Sequence, residues 1–225
     1  MSFRRATDVI AEHLDLDGAR VVDVGSGAGG LVRWLRTQGA DPVGIECGEV
    51  MRARAIEADP DHAEAHVDGV GQDLPLGDAS ADVVVFSYSL HHVPEPEMVN
   101  ALSEAHRVLR DGGRLFVLEP VATGAGHEVV RMVDDETEVR AFAQAALDRA
   151  GGVGFELLVE DGFVSQAVYA DFAAWEHDVV GVDPNRGTAL AARREEIEAR
   201  FNALGEPVEG GTSFAQPNVY RVFAK

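Results

Sequence analysis

The residues most suggestive of chemistry lie in one glycine-rich segment, Val21–Gly30. An apolar run meets an acid, Asp23, and glycines then recur at positions 25, 27 and 29. Glycines there permit a tight turn and let the backbone approach a ligand closely. A helix beginning just behind them would offer unpaired N–H groups to an anionic group. Asp23, two residues before the first glycine, could face a ligand's ammonium group.

The same turn also satisfies a second pattern. Gly25-x-Gly27-x-x-Gly30 fits the dinucleotide fingerprint, and Glu46 has roughly the spacing of its ribose-binding acid. A dinucleotide carries no ammonium, so Asp23 favours an aminoacyl cofactor. A nicotinamide-dependent oxidoreductase and a plain glycine-rich turn stay as weaker alternatives.

The elements that must hold this turn alternate between strand and helix. We predict strands at 20–24, 42–46, 63–67, 82–87, 114–119, 155–160 and 218–224. We predict helices at 7–16, 31–38, 49–57, 97–109, 128–150, 171–179 and 188–204. The fold class is therefore α/β, a doubly wound, Rossmann-like, mostly parallel seven-stranded sheet with helices on both faces. Ligands in such sheets bind outside the carboxyl ends of the strands, where Asp23, Glu46 and Ser87 fall.

No linker rich in Pro, Gly or Ser divides the chain. We therefore expect a single domain over residues 1–225, with a cofactor-binding core in 1–120. Residues 121–225 are expected to form the substrate side, with a helical insertion at about 165–212 that could act as a lid.

The composition of the chain limits the classes of partner that it is expected to bind. The formal net charge is −20, from 39 acidic and 19 basic residues, which disfavours nucleic acid and anionic membranes as partners. Cys47 is the only cysteine, so no internal disulfide can form, and a reducing, cytoplasmic location is expected. We expect Cys47 to be a small buried hydrophobe.

Motifs over residues 21–120 resemble those of class I S-adenosylmethionine-dependent methyltransferases. The glycine turn resembles the family's acid-x-Gly-x-Gly-x-Gly motif, and Gly44-Ile45-Glu46 its ribose-binding motif. Later segments resemble the family's downstream motifs. They are Leu74-Pro75-Leu76 with Asp82-Val83-Val84-Val85, Ser89-Leu90-His91-His92-Val93-Pro94, Arg107–Leu115 and Leu118-Glu119-Pro120. The closest likeness is to the small-molecule branch that includes quinone-biosynthesis enzymes.

The resemblance implies S-adenosylmethionine as cofactor, a small-molecule methyl acceptor and transfer by direct displacement. It implies that Glu46 binds both ribose hydroxyls and that Met51 packs on the adenine. The full set of cofactor-binding residues predicted is Asp23, Gly25, Ser26, Gly27, Gly29, Glu46, Cys47, Met51, Gln72, Asp73, Leu74 and Ser87. The family commonly has an aspartate for the adenine amino group where this chain has Val70. Asp68, Gln72 or Asp73 would have to take that role, or no residue does.

Attack on a sulfonium methyl needs alignment and exclusion of water but no metal. A general base helps only if the acceptor arrives protonated. His91 and His92, just past the fourth strand, are the catalytic candidates, and His127 is a weaker one. The alternative is that the histidine pair shapes its loop.

Other features have two readings each. The acidic run Asp134-Asp135-Glu136 is expected to be a solvated turn or an acid cluster in a helix, rather than a grip for a cation. Trp175, Phe172 and Phe163 could wall a substrate pocket or belong to the core. A non-catalytic binding module remains an alternative function. O-, N- and C-methylation stay open, as does a homodimer.

Overall fold

A computed structural model describes residues 3–183 and 185–225, which divide into two units. The larger unit contains Ala6–Glu119, Phe142–Asp161 and Val219–Lys225. The smaller contains the described residues up to Arg5, Pro120–Ala141 and Gly162–Asn218. Pro184, in the predicted loop between two helices, lies outside the described residues, as do the first two residues of the expected 1–225 domain.

The strands form one sheet in the order β3-β2-β1-β4-β5-β8-β6, and the short β7 pairs only with β8. Their bounds are β1 Arg20–Val24, β2 Asp41–Ile45, β3 His66–Val67, β4 Ala81–Ser87, β5 Leu109–Pro120, β6 Glu156–Tyr169, β7 Glu206–Val208 and β8 Gly211–Ala224. The first five strands pair in parallel. The expected seven-stranded path is therefore present, with β7 as an eighth strand beside it.

The last strand, β8, runs antiparallel to its neighbour β5. Within the larger unit, Lys225 donates its backbone N–H to Gly113, and Tyr220 stacks on Phe116. Partners further along β5 thus lie earlier in β8, which makes the pair antiparallel. The sheet is parallel from β1 to β5 and antiparallel where β8 pairs with β5.

The core of the larger unit lies on the parallel strands. Val22, Val84, Phe86 and Leu115 are fully buried, because continuous apolar strands are covered on both faces. Helix α4 packs on this sheet through every third or fourth residue. Its bounds, with those of the unit's other complete helices, are α1 Ala6–His13, α2 Gly30–Thr37, α3 Glu49–Ala58 and α4 Met98–Val108.

The smaller unit has its own aromatic core. Phe172, Trp175, Phe201 and Phe214 are buried together, with Phe201 and Phe214 ring centroids 4.7 Å apart. Four helices carry or cover this cluster. They are α5 Gly124–Val130, α7 Phe172–Val182, α8 Arg186–Ala192 and α9 Arg194–Leu204. Helix α6, Thr137–Leu147, begins in this unit and ends in the larger one.

Three predicted elements of the second half are wrong in detail. The single helix expected over 128–150 is two helices, α5 and α6, and the helix expected over 188–204 is divided into α8 and α9. The predicted strand 155–160 is only the first part of β6. The insertion expected at about 165–212 begins inside β6, and its helices occupy 172–204.

No helix of the described residues combines the length and the apolar character needed to cross a membrane.

Candidate functional site

A cavity of about 440 Å³ opens at the carboxyl ends of β1 and β2, wholly within the larger unit. This volume falls in the range typical of small-molecule sites, and the position is where ligands bind in open α/β sheets. The lining residues come from four loops. They are Val24, Gly25, Ile45, Glu46, Cys47, Gly69, Val70, Gly71, Gln72, Ser89, His92, Val93 and Pro94.

The glycine turn forms one wall, and Gly25 cannot be replaced there without a clash. Its φ is +75°, in the left-handed region that favours glycine. A Cβ added at Gly25 would lie only 2.5 Å from the Cβ of Ser89. Ser89 is itself fixed, because its hydroxyl donates to the carbonyl oxygen of Val24 at 2.5 Å. The turn and the loop after β4 therefore touch directly at the cavity.

Backbone amides hold the carboxylate of Glu46 at the end of β2. One oxygen accepts from the N–H of Gly27 at 2.8 Å, and the other accepts from Gly48 at 2.7 Å. A carboxylate oxygen has two acceptor sites, so each can accept one more donor. Glu46 lines the cavity and is thus a fixed, directed acceptor for two hydroxyl groups.

Asp23 is a buried acid whose pKa is raised by its surroundings. It is the second-last residue of β1, one residue before the cavity wall, and is 2% exposed. Burial, and then the negative charge of Glu46, raises the pKa of Asp23 from 3.8 to about 7. A cation placed beside the carboxylate would offset both effects and favour its ionised form.

The two predicted catalytic histidines occupy different environments. His91 is buried, and its Nδ1 pairs with the carboxylate of Glu119. Glu119 has no solvent exposure and also accepts from the N–H of Leu90 at 2.9 Å. His92 is exposed and lines the cavity, and its ring centroid lies 4.1 Å from that of His91. Only His92 of the pair is positioned to meet a bound molecule there.

Backbone strain marks the loop that carries these histidines. Tyr88, directly after β4, has φ +58°, which is rare for a bulky side chain and costs on the order of 1 kcal/mol. Its N–H donates to Leu118 at 2.8 Å, which ties the loop to β5. This conformation brings the next residue, Ser89, beneath Gly25.

The structure brings five of the predicted site residues to the cavity wall: Gly25, Glu46, Cys47, Gln72 and His92. The other predicted residues do not line it. They are Asp23, Ser26, Gly27, Gly29, Met51, Asp73, Leu74, Ser87 and His91. Of these, Gly27 holds Glu46 through the hydrogen bond described above, Asp23 is buried directly before the wall residue Val24, and Leu74 is a core residue. The expectation that Cys47 is buried is wrong, because it follows the end of β2 and is exposed.

Eight lining residues were absent from the predicted site set: Val24, Ile45, Gly69, Val70, Gly71, Ser89, Val93 and Pro94. Val70 is 36% exposed and presents an apolar surface where the family's aspartate would be. Of the three polar side chains considered for that role, Gln72 lines the cavity, whereas Asp68 and Asp73 do not. The motif Ser89–Pro94 directly follows the end of a strand. That position is a sequence signal that could have placed its residues in the wall of the cavity.

The second half also corrects two expectations. Glu136 is not solvated: it is buried and pairs with Arg140 at 2.6 Å and Arg186 at 2.8 Å. His127 is buried, with Nδ1 3.2 Å from Arg140 and Nε2 3.2 Å from Thr137. Its pKa is lowered by burial and by the charge of Arg140. Both of its nitrogens are engaged, which argues against a role as general base.

The residues present fit an aminoacyl nucleoside such as S-adenosylmethionine. A buried acid of raised pKa suits an ammonium, and a fixed carboxylate suits a pair of ribose hydroxyls. The wall formed by Val70, Val93 and Pro94 is apolar and suits a purine face.

Comparison with known proteins gives a consistent result. A family described as "Methyltransferase domain" matches residues 22–117. The 27-O-demethylrifamycin SV methyltransferase of Amycolatopsis mediterranei is 38% identical over 138 residues, covering 57% of this chain and 50% of that protein. A ubiquinone biosynthesis O-methyltransferase of Azotobacter vinelandii is 32% identical over 113 residues, covering 48% and 47%. The chain thus spans about half the length of these two relatives.

Among solved structures, the YcgJ protein of Bacillus subtilis superposes with a TM-score of 0.64. The match covers 97% of each chain at 18% identity, so it speaks for the fold alone.

Proposed function

We propose that this chain is a class I S-adenosylmethionine-dependent methyltransferase, which binds S-adenosylmethionine in the cavity beside Gly25 and methylates a small organic acceptor. The names of the relatives suggest acceptors of natural-product or quinone type, which are small molecules. The strongly acidic surface favours an acceptor without phosphate groups.

The observation that carries the proposal is the state of Asp23. Its carboxyl is buried and has a pKa raised to about 7, and the residue lies next to the end of the strand that leads into the glycine turn. An ammonium group supplies the counter-charge that the carboxylate lacks. Among the cofactors that suit a glycine-rich turn, the aminoacyl nucleoside has this group and the dinucleotides do not. Asp23 therefore favours methyl transfer over hydride transfer.

Glu46 and the loop after β3 account for the rest of the cofactor. The Glu46 oxygens, held by Gly27 and Gly48, accept from the ribose hydroxyls. Val70 and Val93 pack on the purine faces, and Gln72 can bond a polar edge of the ring. Val70 gives no charge-assisted bond to the adenine amino group, so we expect looser selection of the base than an aspartate would give.

When bound, the sulfonium supplies an already activated methyl group. The chain's own part is to hold the acceptor in line and to exclude water. His92, at the cavity wall, can accept a proton from a hydroxyl acceptor. His91, held by Glu119 and packed against the His92 ring, is a positioning residue.

Calorimetric titration tests this proposal. S-Adenosylmethionine should bind with micromolar affinity, and NAD and NADP should not bind. Glu46→Gln should weaken the binding at least tenfold because one oxygen of the acceptor pair is lost. Glu57→Gln, an exposed change on α3, should bind as the unaltered protein does. Binding of NAD alone, or equal loss in both variants, would contradict the assignment.

A further inference from the structure

A second cavity lies wholly within the smaller unit, apart from every residue of the first one. Its volume is about 150 Å³. Aromatic rings of Tyr169, Trp175 and Phe214 form much of its wall. Apolar cavities of roughly this volume accommodate one benzene ring. Size and lining together therefore select a single aromatic ring rather than a fused or extended molecule.

One side of this cavity is polar, and its hydrogen bonds have a definite direction. Arg140 donates one terminal N–H to His127 Nδ1 at 3.2 Å and another to Glu136 at 2.6 Å. His127 can then donate from Nε2 to Thr137, which donates to Asp135 at 2.5 Å. This chain of bonds fixes the guanidinium of Arg140 at the wall.

One N–H donor of that guanidinium makes no hydrogen bond within the described residues. The Nε of Arg140 is buried and has no hydrogen-bond partner there. A buried donor left unpaired costs about 1–3 kcal/mol, so its retention needs an explanation. Gln216, also on the wall, donates its amide N–H groups to the carbonyl oxygens of Val121 and Pro217. Its own carbonyl oxygen is thereby left as an acceptor for a ligand hydroxyl.

Tyr169 is excluded as the polar partner. Its hydroxyl donates to Asp178 at 3.1 Å, and burial raises the pKa of the phenol. The tyrosine therefore contributes a ring face to the cavity and stays protonated.

We propose that this cavity binds a monocyclic aromatic compound with an oxygen substituent. This binding does not depend on the proposed methyl transfer. The ring packs between the aromatic walls. Its oxygen accepts from the Nε of Arg140, and a hydroxyl hydrogen can be donated to Gln216.

The test uses phenol as the probe, toluene as a ring without oxygen, and cyclohexanol as an oxygen compound without an aromatic ring. The chain has two tryptophans, so Trp34→Phe leaves Trp175 as the only one, and its emission reports on this cavity. Phenol should change that emission saturably and bind at least tenfold more tightly than cyclohexanol. Phenol should also bind more tightly than toluene, which has no oxygen to accept from Nε. Arg140→Lys keeps a cation beside Glu136 but removes Nε, and should therefore abolish the preference for phenol over toluene.

A cavity-filling variant gives the sharpest control. A Cβ added at Gly126 would lie 3.6 Å from its nearest atom, an ordinary contact, so Gly126→Ala should fold normally while narrowing the cavity. It should weaken phenol binding at least tenfold. Gly187→Ala is also a helical glycine change with an ordinary contact, 3.7 Å, and lies outside the cavity. It should leave phenol binding unchanged.

The outcomes separate the two proposals when S-adenosylmethionine is titrated into the same preparations. Methyl-donor binding without phenol binding, or phenol binding that Gly126→Ala does not weaken, would overturn the aromatic site and leave the proposed function standing. Phenol binding without methyl-donor binding would overturn the proposed function and support the ring site.

Discussion

Replacing Asp23 by asparagine should stabilise the ligand-free protein while destroying its cofactor site. The carboxyl is buried, with its pKa raised from 3.8 to about 7 by burial and by Glu46. Asparagine has nearly the same shape and carries no charge. The substitution therefore removes the cost of a buried charge without leaving a large cavity.

The sign of the effect follows from proton binding. Between about pH 4 and pH 7 the unfolded chain has lost the Asp23 proton while the folded chain keeps it. The folded state binds more protons, so its stability falls as pH rises through this window and is constant above it. At about pH 8 the full shift of roughly three units costs about 4 kcal/mol, and at about pH 5 it costs roughly 2 kcal/mol.

Urea unfolding of the ligand-free protein measures this difference. Asp23→Asn should be the more stable protein, by about 4 kcal/mol near pH 8 and by roughly 2 kcal/mol near pH 5. Asp15→Asn, an exposed change, should alter the unfolding free energy by less than about 0.5 kcal/mol at either pH.

A gain for Asp23→Asn that is the same at both pH values would refute the account of a buried, titrating carboxyl. So would a loss of stability near pH 8, because it would mean that the charge is already compensated in the ligand-free protein.

Three further substitutions test the site. Gly25→Ala combines a positive φ with a 2.5 Å clash and should lower the urea midpoint and abolish methyl-donor binding, whereas Gly77→Ala, which enters open space, should do neither. In hydrogen exchange, Glu46→Gln should raise the exchange rate of the glycine-turn amides, and Glu57→Gln should not; equal rates would count against the carboxylate clamp. Glu119→Gln should cost about 1–3 kcal/mol in thermal unfolding, because a buried acceptor of two bonds is altered; an unchanged midpoint would contradict that role.

The parallel half of the sheet was readable from sequence because its signals are local. Continuous apolar runs at Arg20–Val24 and Ala81–Ser87 are buried on both faces, and glycines follow the first directly. The glycine turn, Glu46 and Asp23 were identified for the same reason. Residue types at short range are enough when a strand, a turn and a helix follow one another within about ten positions.

The long antiparallel strands could not be read in this way. In β6 most side chains are half-exposed or exposed, so no apolar alternation marks the strand. Asp161-Gly162 looks like a turn, yet a Cβ at Gly162 would lie 2.8 Å from the carbonyl oxygen of Asn218. That glycine permits close approach of a neighbouring strand. The strand predicted at 218–224 is the second part of β8, which begins at Gly211 and continues through Pro217.

Contacts between distant parts of the chain account for the remaining differences. The break between α5 and α6 brings Glu136 between Arg140 and Arg186. Glu136 and Arg186 are fifty positions apart in the sequence. Ser89 reaches the cavity because Tyr88 adopts a strained conformation that composition does not reveal. Such features depend on tertiary contacts, which override local preference.

The central claim is that Asp23 recognises the ammonium group of the methyl donor. The most direct test compares binding of S-adenosylhomocysteine with that of its deamino analogue, which lacks only the ammonium, to the unaltered protein and to Asp23→Asn. The account predicts that the unaltered protein prefers S-adenosylhomocysteine at least thirtyfold, about 2 kcal/mol, and that Asp23→Asn loses the preference. An equal preference in both proteins would show that the ammonium is bound elsewhere and would contradict the claim.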